Sequence, residues 1–227
     1  MTKRRNAKLS SEGKADRPGN NTVADNRQMA RDVNRMSEDE ILSAIRATDQ
    51  NFSAPDFKSF AKRCFVDMQE GWSNRDITPL QTVLHPNIYE QTEKQIEIKI
   101  RDGIVNKLER ISVNNISMVN FEKDNQFEKL TVELKAQMVD YQVDIKSDTI
   151  VAGSKDRLWK LEYRITFVRS LGSKTSTDKD GTTAMICPNC CAHIPTAAFG
   201  KCEYCGSIVT NGKYSWVIMD ITRLSRN

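Results

Sequence analysis

Nowhere in the 227 residues do apolar side chains run on for the roughly 20 positions that a helix needs to span a bilayer; the most apolar short runs, such as Trp216 to Met219, are strand-sized. The sequence therefore predicts no spanning helix. The opening Met-Thr-Lys-Arg-Arg is basic, but the apolar middle of a signal peptide does not follow it, so secretion by that route is not expected. There is no glycine-rich phosphate loop, no His-Glu metal motif and no internal repeat. Histidine is scarce, with two in the chain. His85 precedes Pro86 at a helix junction without a matching serine or aspartate constellation, which suits a capping or surface role better than catalysis. The expectation is a protein that is not an enzyme. Cysteine is nearly missing from the first 186 residues, where Cys64 stands alone in an apolar pattern.

What is present divides the chain into parts. At 227 residues, 38% apolar and 28% charged, it is long enough for one ordinary domain and a small module. The formal charge is +4, yet residues 1–36 hold nine Lys and Arg against four Asp and Glu, a local excess of +5. The same segment has almost no large apolar side chains and cannot offset its ordering entropy, so it is predicted to be a disordered basic tail.

Residues 37–169 predict an α+β domain. Ser37 with Glu40 is a capping box ahead of Ile41, Leu42 and Ile45. Ser53 and Pro55 open a longer helix in which Phe57, Phe60, Ala61, Cys64, Phe65, Met68 and Trp72 recur at helical spacing, with Cys64 read as packing. A short helix at Thr78 and Pro79 and another after Pro86, ending near Gly103, complete the helical half. Beyond Gly103 the period becomes alternating, from Leu108 to Phe121 with a bulge near Asn114 and Asn115, then Leu130 to Met138, and finally Trp159 to Phe167. Val139, Tyr141 and Val143 sit on the opposite parity from Leu130 to Met138, which requires a register change or a second bulge. Helices followed by long strands imply helices packed on one face of a curved antiparallel sheet. The alternation places Glu162 and Arg164 in solvent, and Trp72, Tyr89, Trp159 and Tyr163 are candidates to line an apolar groove. Residues 170–184 read as a polar linker, and 185–227 as a separate module.

Five of the six cysteines lie between positions 187 and 205. Cys187-Pro-Asn-Cys190 and Cys202-Glu-Tyr-Cys205 are two Cys-x-x-Cys turns separated by eleven residues, the spacing of a tetrahedral four-thiolate zinc site. Cys187, Cys190, Cys202 and Cys205 are accordingly expected to hold a structural zinc with no open coordination position. Cys191 and His193 are alternative ligands, and iron in a rubredoxin-like site, a redox dithiol or an accidental cluster are the competing readings. Asn211-Gly212 predicts a hairpin between 207–210 and 213–218, so that the metal caps a C-terminal ribbon.

The stretch Ala47-Thr48-Asp49-Gln50-Asn51-Phe52-Ser53, the helix Phe57 to Trp72 with Arg75-Asp76, and the segments Val139-Asp140-Tyr141 and Trp159 to Arg169 resemble the Tim44-like domain family. Bacterial members often carry a ribbon similar to Cys187–Cys205 followed by a stretch like Asn211 to Trp216. The resemblance implies a fold similar to nuclear transport factor two and cystatin, with a sizeable apolar groove. It also implies a non-catalytic adaptor that uses the groove and ribbon for protein contacts or a peripheral, anionic membrane surface, from a cytoplasmic location. The competing readings are a small-molecule-binding or enzymatic domain of the same fold and, more remotely, a nucleic-acid-binding ribbon. Against the last, Lys201 and Lys213 are offset by Glu203 and Asp220 with no basic stripe interleaved with aromatics.

Overall fold

The computed structural model describes residues 34–175 and 216–226, together with the short pieces 185–186, 193–194, 200–201, 204–205 and 208–209. Helix α1 spans Glu38–Arg46, and its expected capping box is present: Ser37 Oγ accepts the Glu40 N–H while the Glu40 carboxylate accepts the Ser37 N–H at 2.8 Å. Ile41 and Ile45 are fully buried beneath it. Helix α2, Ala54–Asn74, is capped by Ser53 and carries Phe57, Phe60, Cys64 and Phe65 into the core. Arg75, in the left-handed region at φ 61°, ends it. The helix expected at Thr78 is a single 3-10 turn, Thr78–Leu80. Helix α3, Pro86–Arg101, begins where His85 Nδ1 accepts the Asn87 N–H at 3.3 Å, the capping role expected of that histidine.

Strands β1 (Ile104–Lys123), β2 (Phe127–Asp144) and β3 (Thr149–Ser170) form an antiparallel meander. Register shifts in β1, one of them between Val113 and Asn115 where a bulge was expected, add local twist and curve the sheet around the helices. Along β2, Leu130, Val132, Leu134, Ala136 and Met138 are buried on the helix-facing side. Val139, Tyr141 and Val143 form a separate cluster with Val105. Their change of parity coincides with a register shift against β3 between Val139 and Asp140.

The fourth strand of this sheet was not expected. Four short strands follow β3: β4 (Met185–Ile186) pairs with β5 (His193–Ile194), and β6 (Gly200–Lys201) with β7 (Ile208–Val209). Strand β8, Val217–Arg226, then returns to pair antiparallel with β3, giving the order β1-β2-β3-β8. The predicted hairpin has its turn at Asn211-Gly212 and the residues 213–215 of its second arm outside the described residues; of the rest, 208–209 pair with 200–201, and Val217 and Ile218 pair with β3 rather than with 207–210. The cysteine-bearing segment is an insertion between two strands of the α+β domain, not a module appended to its end. Trp216, Val217 and Ile218 are buried, and the main-chain of Ile218 also bonds Val83 and His85, each at 2.8 Å. Local pattern cannot see this pairing, since a short apolar strand accepts either partner and the larger buried area decides.

Both predicted domain ends shift as well. Met36 donates its N–H to the Val119 carbonyl at 2.9 Å and packs on the core, so the ordered domain begins before Ser37; residues 1–33 of the expected tail lie outside the described residues. At the other end Ser173 and Thr175, placed in a linker by their polarity, are buried. Arg164, expected in solvent, is also buried, with Nη2 2.7 Å from Glu133, whose other partner is Arg35 at 2.8 Å.

Candidate functional site

Two places in the domain concentrate chemistry. The first is a groove between the second half of α2, the exposed side of α3 and the helix-facing side of the sheet, enclosing about 550 Å³. Its inner wall is apolar, with Met68, Trp72, Ile88 and Met138, but Gln69, Gln91, Gln95 and Gln142 surround them. The expected apolar groove is therefore corrected to one of mixed character. Trp72 and Tyr163 line it as predicted, whereas Tyr89 and Trp159 are not part of its lining.

The sheet end of the groove is charged. Asp140 Oδ2 meets Arg226 Nη2 at 3.1 Å, and Asn106 donates to its other oxygen at 3.3 Å. The guanidinium carbons of Arg157 and Arg226 lie 3.6 and 3.8 Å from the Trp159 ring centroid, distances at which the two cannot share a face, so the indole is sandwiched. Arg223 sits opposite Tyr163 in the strand register. Burial, together with the positive charges of Arg223 and Arg157, holds Arg226 below the usual arginine range against the pull of Asp140. Burial likewise pushes the Tyr163 hydroxyl up, with Arg223 opposing.

Gly153 makes this end possible. Its φ is +78°, and a Cβ there would overlap the Asp140 carbonyl and the Tyr141 Cα. Only glycine lets β3 approach β2 so closely at the register shift. Asp140 continues the helix-facing parity of Leu130 to Met138 and enters the groove where the apolar row of β2 ends.

The second place is a buried charge network under the α1–α2 connection. Arg169 reaches Asp49 Oδ2 with Nη1 and Glu128 Oε2 with Nε, both at 2.6 Å, and all three side chains have no solvent exposure. Thr175 donates to the same Asp49 oxygen from its N–H at 3.0 Å and its hydroxyl at 2.7 Å, and Lys123 lies 3.1 Å from Glu128. Burial raises the Asp49 carboxyl, but the Arg169 and Thr175 hydrogen bonds and the Arg169 charge outweigh it and hold it below its ordinary value. The carboxylates of Asp49 and Glu128 are matched by Arg169 and Lys123, so the network's role is architectural. It was missed from sequence although a signal existed: Arg169 and Glu128 continue the buried parity of Leu161 to Phe167 and of Leu130 to Met138.

Of the expected zinc ligands, Cys187, Cys190 and Cys202 lie outside the described residues, as does Cys191. Cys205 is exposed in a turn, and His193 is in β5. Among the described residues no group of three or more His, Cys, Asp or Glu is arranged to hold a metal. The positions 187–192 fall between the paired strands β4 and β5, and 202–207 between β6 and β7. In sequence, each Cys-x-x-Cys thus lies between the two members of a short strand pair.

Cys64, read as packing, is 2% exposed, and burial pushes its thiol up to about 12. Among the described residues no helix is long and apolar enough to cross a membrane. In comparison with known proteins, the Tim44-like domain matches residues 38–178, the folded domain from α1 to the end of β3 and a few residues beyond. No curated protein matches the chain.

Proposed function

Because the chain belongs to the Tim44-like domain family, we propose that it is a non-catalytic adaptor whose domain contacts a protein partner or the surface of an anionic membrane. The family membership carries this reading. Its charged groups support it: Asp49, Glu128, Glu133 and Arg169 are each held by opposite charges in structural pairs, and Asp140 is occupied by Arg226 and Asn106. A general base needs a carboxylate with a free lone pair facing substrate and a pKa near the working pH, which this bonding pattern disfavours.

Membrane contact in this reading is peripheral and electrostatic, carried by the basic residues of 1–33. Each such residue near an anionic surface contributes about 1 kcal/mol, and the effect decays within a Debye length. In this reading the cysteine-bearing segment between β3 and β8 offers a contact surface, with zinc held by Cys187, Cys190, Cys202 and Cys205. Support for the metal is the paired Cys-x-x-Cys spacing, each pair lying in sequence between two short paired strands. Its contribution would be to the folding of a module with little core of its own.

Vesicle flotation tests the membrane half, with phosphatidylglycerol-containing and neutral vesicles and with the full chain and residues 34–227. The full chain should float with the anionic vesicles at low salt and dissociate near physiological salt, and the shortened chain should not float. Equal flotation of both would move the lipid site to the folded domain. Absence of flotation by either would leave protein contact as the adaptor's role.

A further inference from the structure

The groove described above has a feature that adaptor function does not use. Among the described residues, one of its two arginines has no counter-charge. Asp140 is the carboxylate that faces the groove from the sheet, and it is consumed by Arg226 and Asn106. Asp220 adjoins the groove through its strand, but its side chain points to the other side of the sheet. It pairs with Thr166, and its carboxylate accepts the hydroxyl of Thr222, whose partner Arg164 binds Glu133 on that opposite side. Among the described residues no carboxylate is within ion-pair distance of Arg223.

Polar capacity is left over nearby. Arg226 Nε and Trp159 Nε1 are buried without a hydrogen-bond partner, and Arg157, stacked on the far face of Trp159, adds a third positive charge behind the site. The two lining guanidinium groups against the one carboxylate that faces them leave an excess of positive charge in a partly desolvated pocket, where an anion is bound more strongly than in water. The remaining wall has an apolar side, Trp72 and Met68, and an amide side, Gln91 and Gln142. A cavity of about 550 Å³ is within the range for a small metabolite and far larger than a bare inorganic anion requires. The scattered amides are poorly matched to a long acyl chain, which would leave them unsatisfied.

We propose that this groove binds a small organic anion, with its carboxylate or phosphate on Arg223 and Arg226 and its polar body against Gln91 and Gln142. This goes beyond the adaptor reading and does not depend on it.

The test uses thermal melting of the full chain with citrate, glycerol 3-phosphate and decanoate, each compared with sodium chloride at matched ionic strength. Citrate or glycerol 3-phosphate should raise the midpoint by about 3 °C or more at ten times its dissociation constant, and which of the two does so identifies carboxylate or phosphate as the anchor. Arg223→Gln should abolish that shift. Arg223 is exposed, so this variant should melt like the parent without added anion. A second variant, Gln91→Ala on the solvent side of α3, should reduce the shift without changing the unliganded midpoint. The proposal is overturned if neither polar anion gives a shift beyond matched salt, if decanoate alone does, or if the shift survives in Arg223→Gln.

Discussion

Arg169 and Asp49 are 120 residues apart in the chain and 2.6 Å apart in the fold, and neither side chain touches solvent. Through them the α1–α2 connection, the end of β3 and Thr175 are tied together. The Arg169 guanidinium also lies 4.5 Å from the ring centroid of Trp216. Thr175, which bonds Asp49, and Trp216, which lies beside Arg169, therefore both meet this one buried pair from the two ends of the intervening sequence. The insertion between them is anchored at both ends.

Breaking this pair should be costly. Asp49→Ala leaves Arg169 with Glu128 alone in a dry site, and a loss of about 3–5 kcal/mol is expected from urea unfolding. The pH dependence has a definite sign. Asp49 is held below its ordinary pKa, so its stabilisation is fully present above its unfolded value, near pH 4, and is lost as pH falls through the folded value. Stability measured between about pH 5 and pH 2 should fall less steeply for Asp49→Asn than for the parent. Parallel acid limbs would show that Asp49 is not a source of the acid sensitivity.

Strand β8 belongs to the main sheet, and truncation tests this directly. A chain ending at residue 184 loses Trp216, Val217 and Ile218 from the core and uncovers the edge of β3, so it should not give a cooperative melt. Replacing residues 178–213 by a short Gly/Ser loop should preserve one. Cooperative folding of the truncated chain would return β8 to the cysteine module.

The metal reading predicts one zinc per chain in protein kept reduced, measured by elemental analysis. Cys202→Ser should remove it while the melt of the α+β domain persists, because β8 is held by β3 and by residues 83–85, independently of the cysteines. A zinc-free parent would sink the four-thiolate assignment, and collapse of the whole melt in the variant would show that the insertion and domain fold as one unit.

Cys64 should be inert. Its burial and its raised pKa leave almost no thiolate at neutral pH, so alkylation of the native protein should be slow and should accelerate on unfolding. Cys64→Ala should cost about 1–2 kcal/mol from lost burial and the small cavity left behind, as read from urea midpoints. Rapid native labelling would contradict the packing of α2.

The helical half was legible in the sequence because its signals are local. Ser37 with Glu40, Ser53 with Pro55, and His85 beside Pro86 each satisfy backbone groups within one turn of themselves, and the structure places a helix start at each. The strands β1 to β3 were legible for the same reason, down to the bulge near Asn114 and the change of parity at Val139. The cysteine spacing is equally local, which is why it names four candidate ligands without the fold.

Three things only the tertiary structure decided. One is the partner of Val217–Arg226: Asn211-Gly212 permits a local hairpin, but burying Trp216 and Ile218 against Phe57 and Phe167 removes more apolar surface from water. Another is where polar residues are buried. Arg164, Arg169 and Thr175 look solvent-facing by residue type, and their burial is offset by partners brought from 31 to 126 positions away. The last is the character of the groove. Its aromatic wall could be anticipated from Trp72 and Tyr163, but its charge depends on Asp140, Arg223 and Arg226 meeting from two strands that are not neighbours in the sheet, across a close approach that Gly153 alone allows. Sequence periodicity assigns a residue to a face of its own element; which charges share that face is settled by strand order and register.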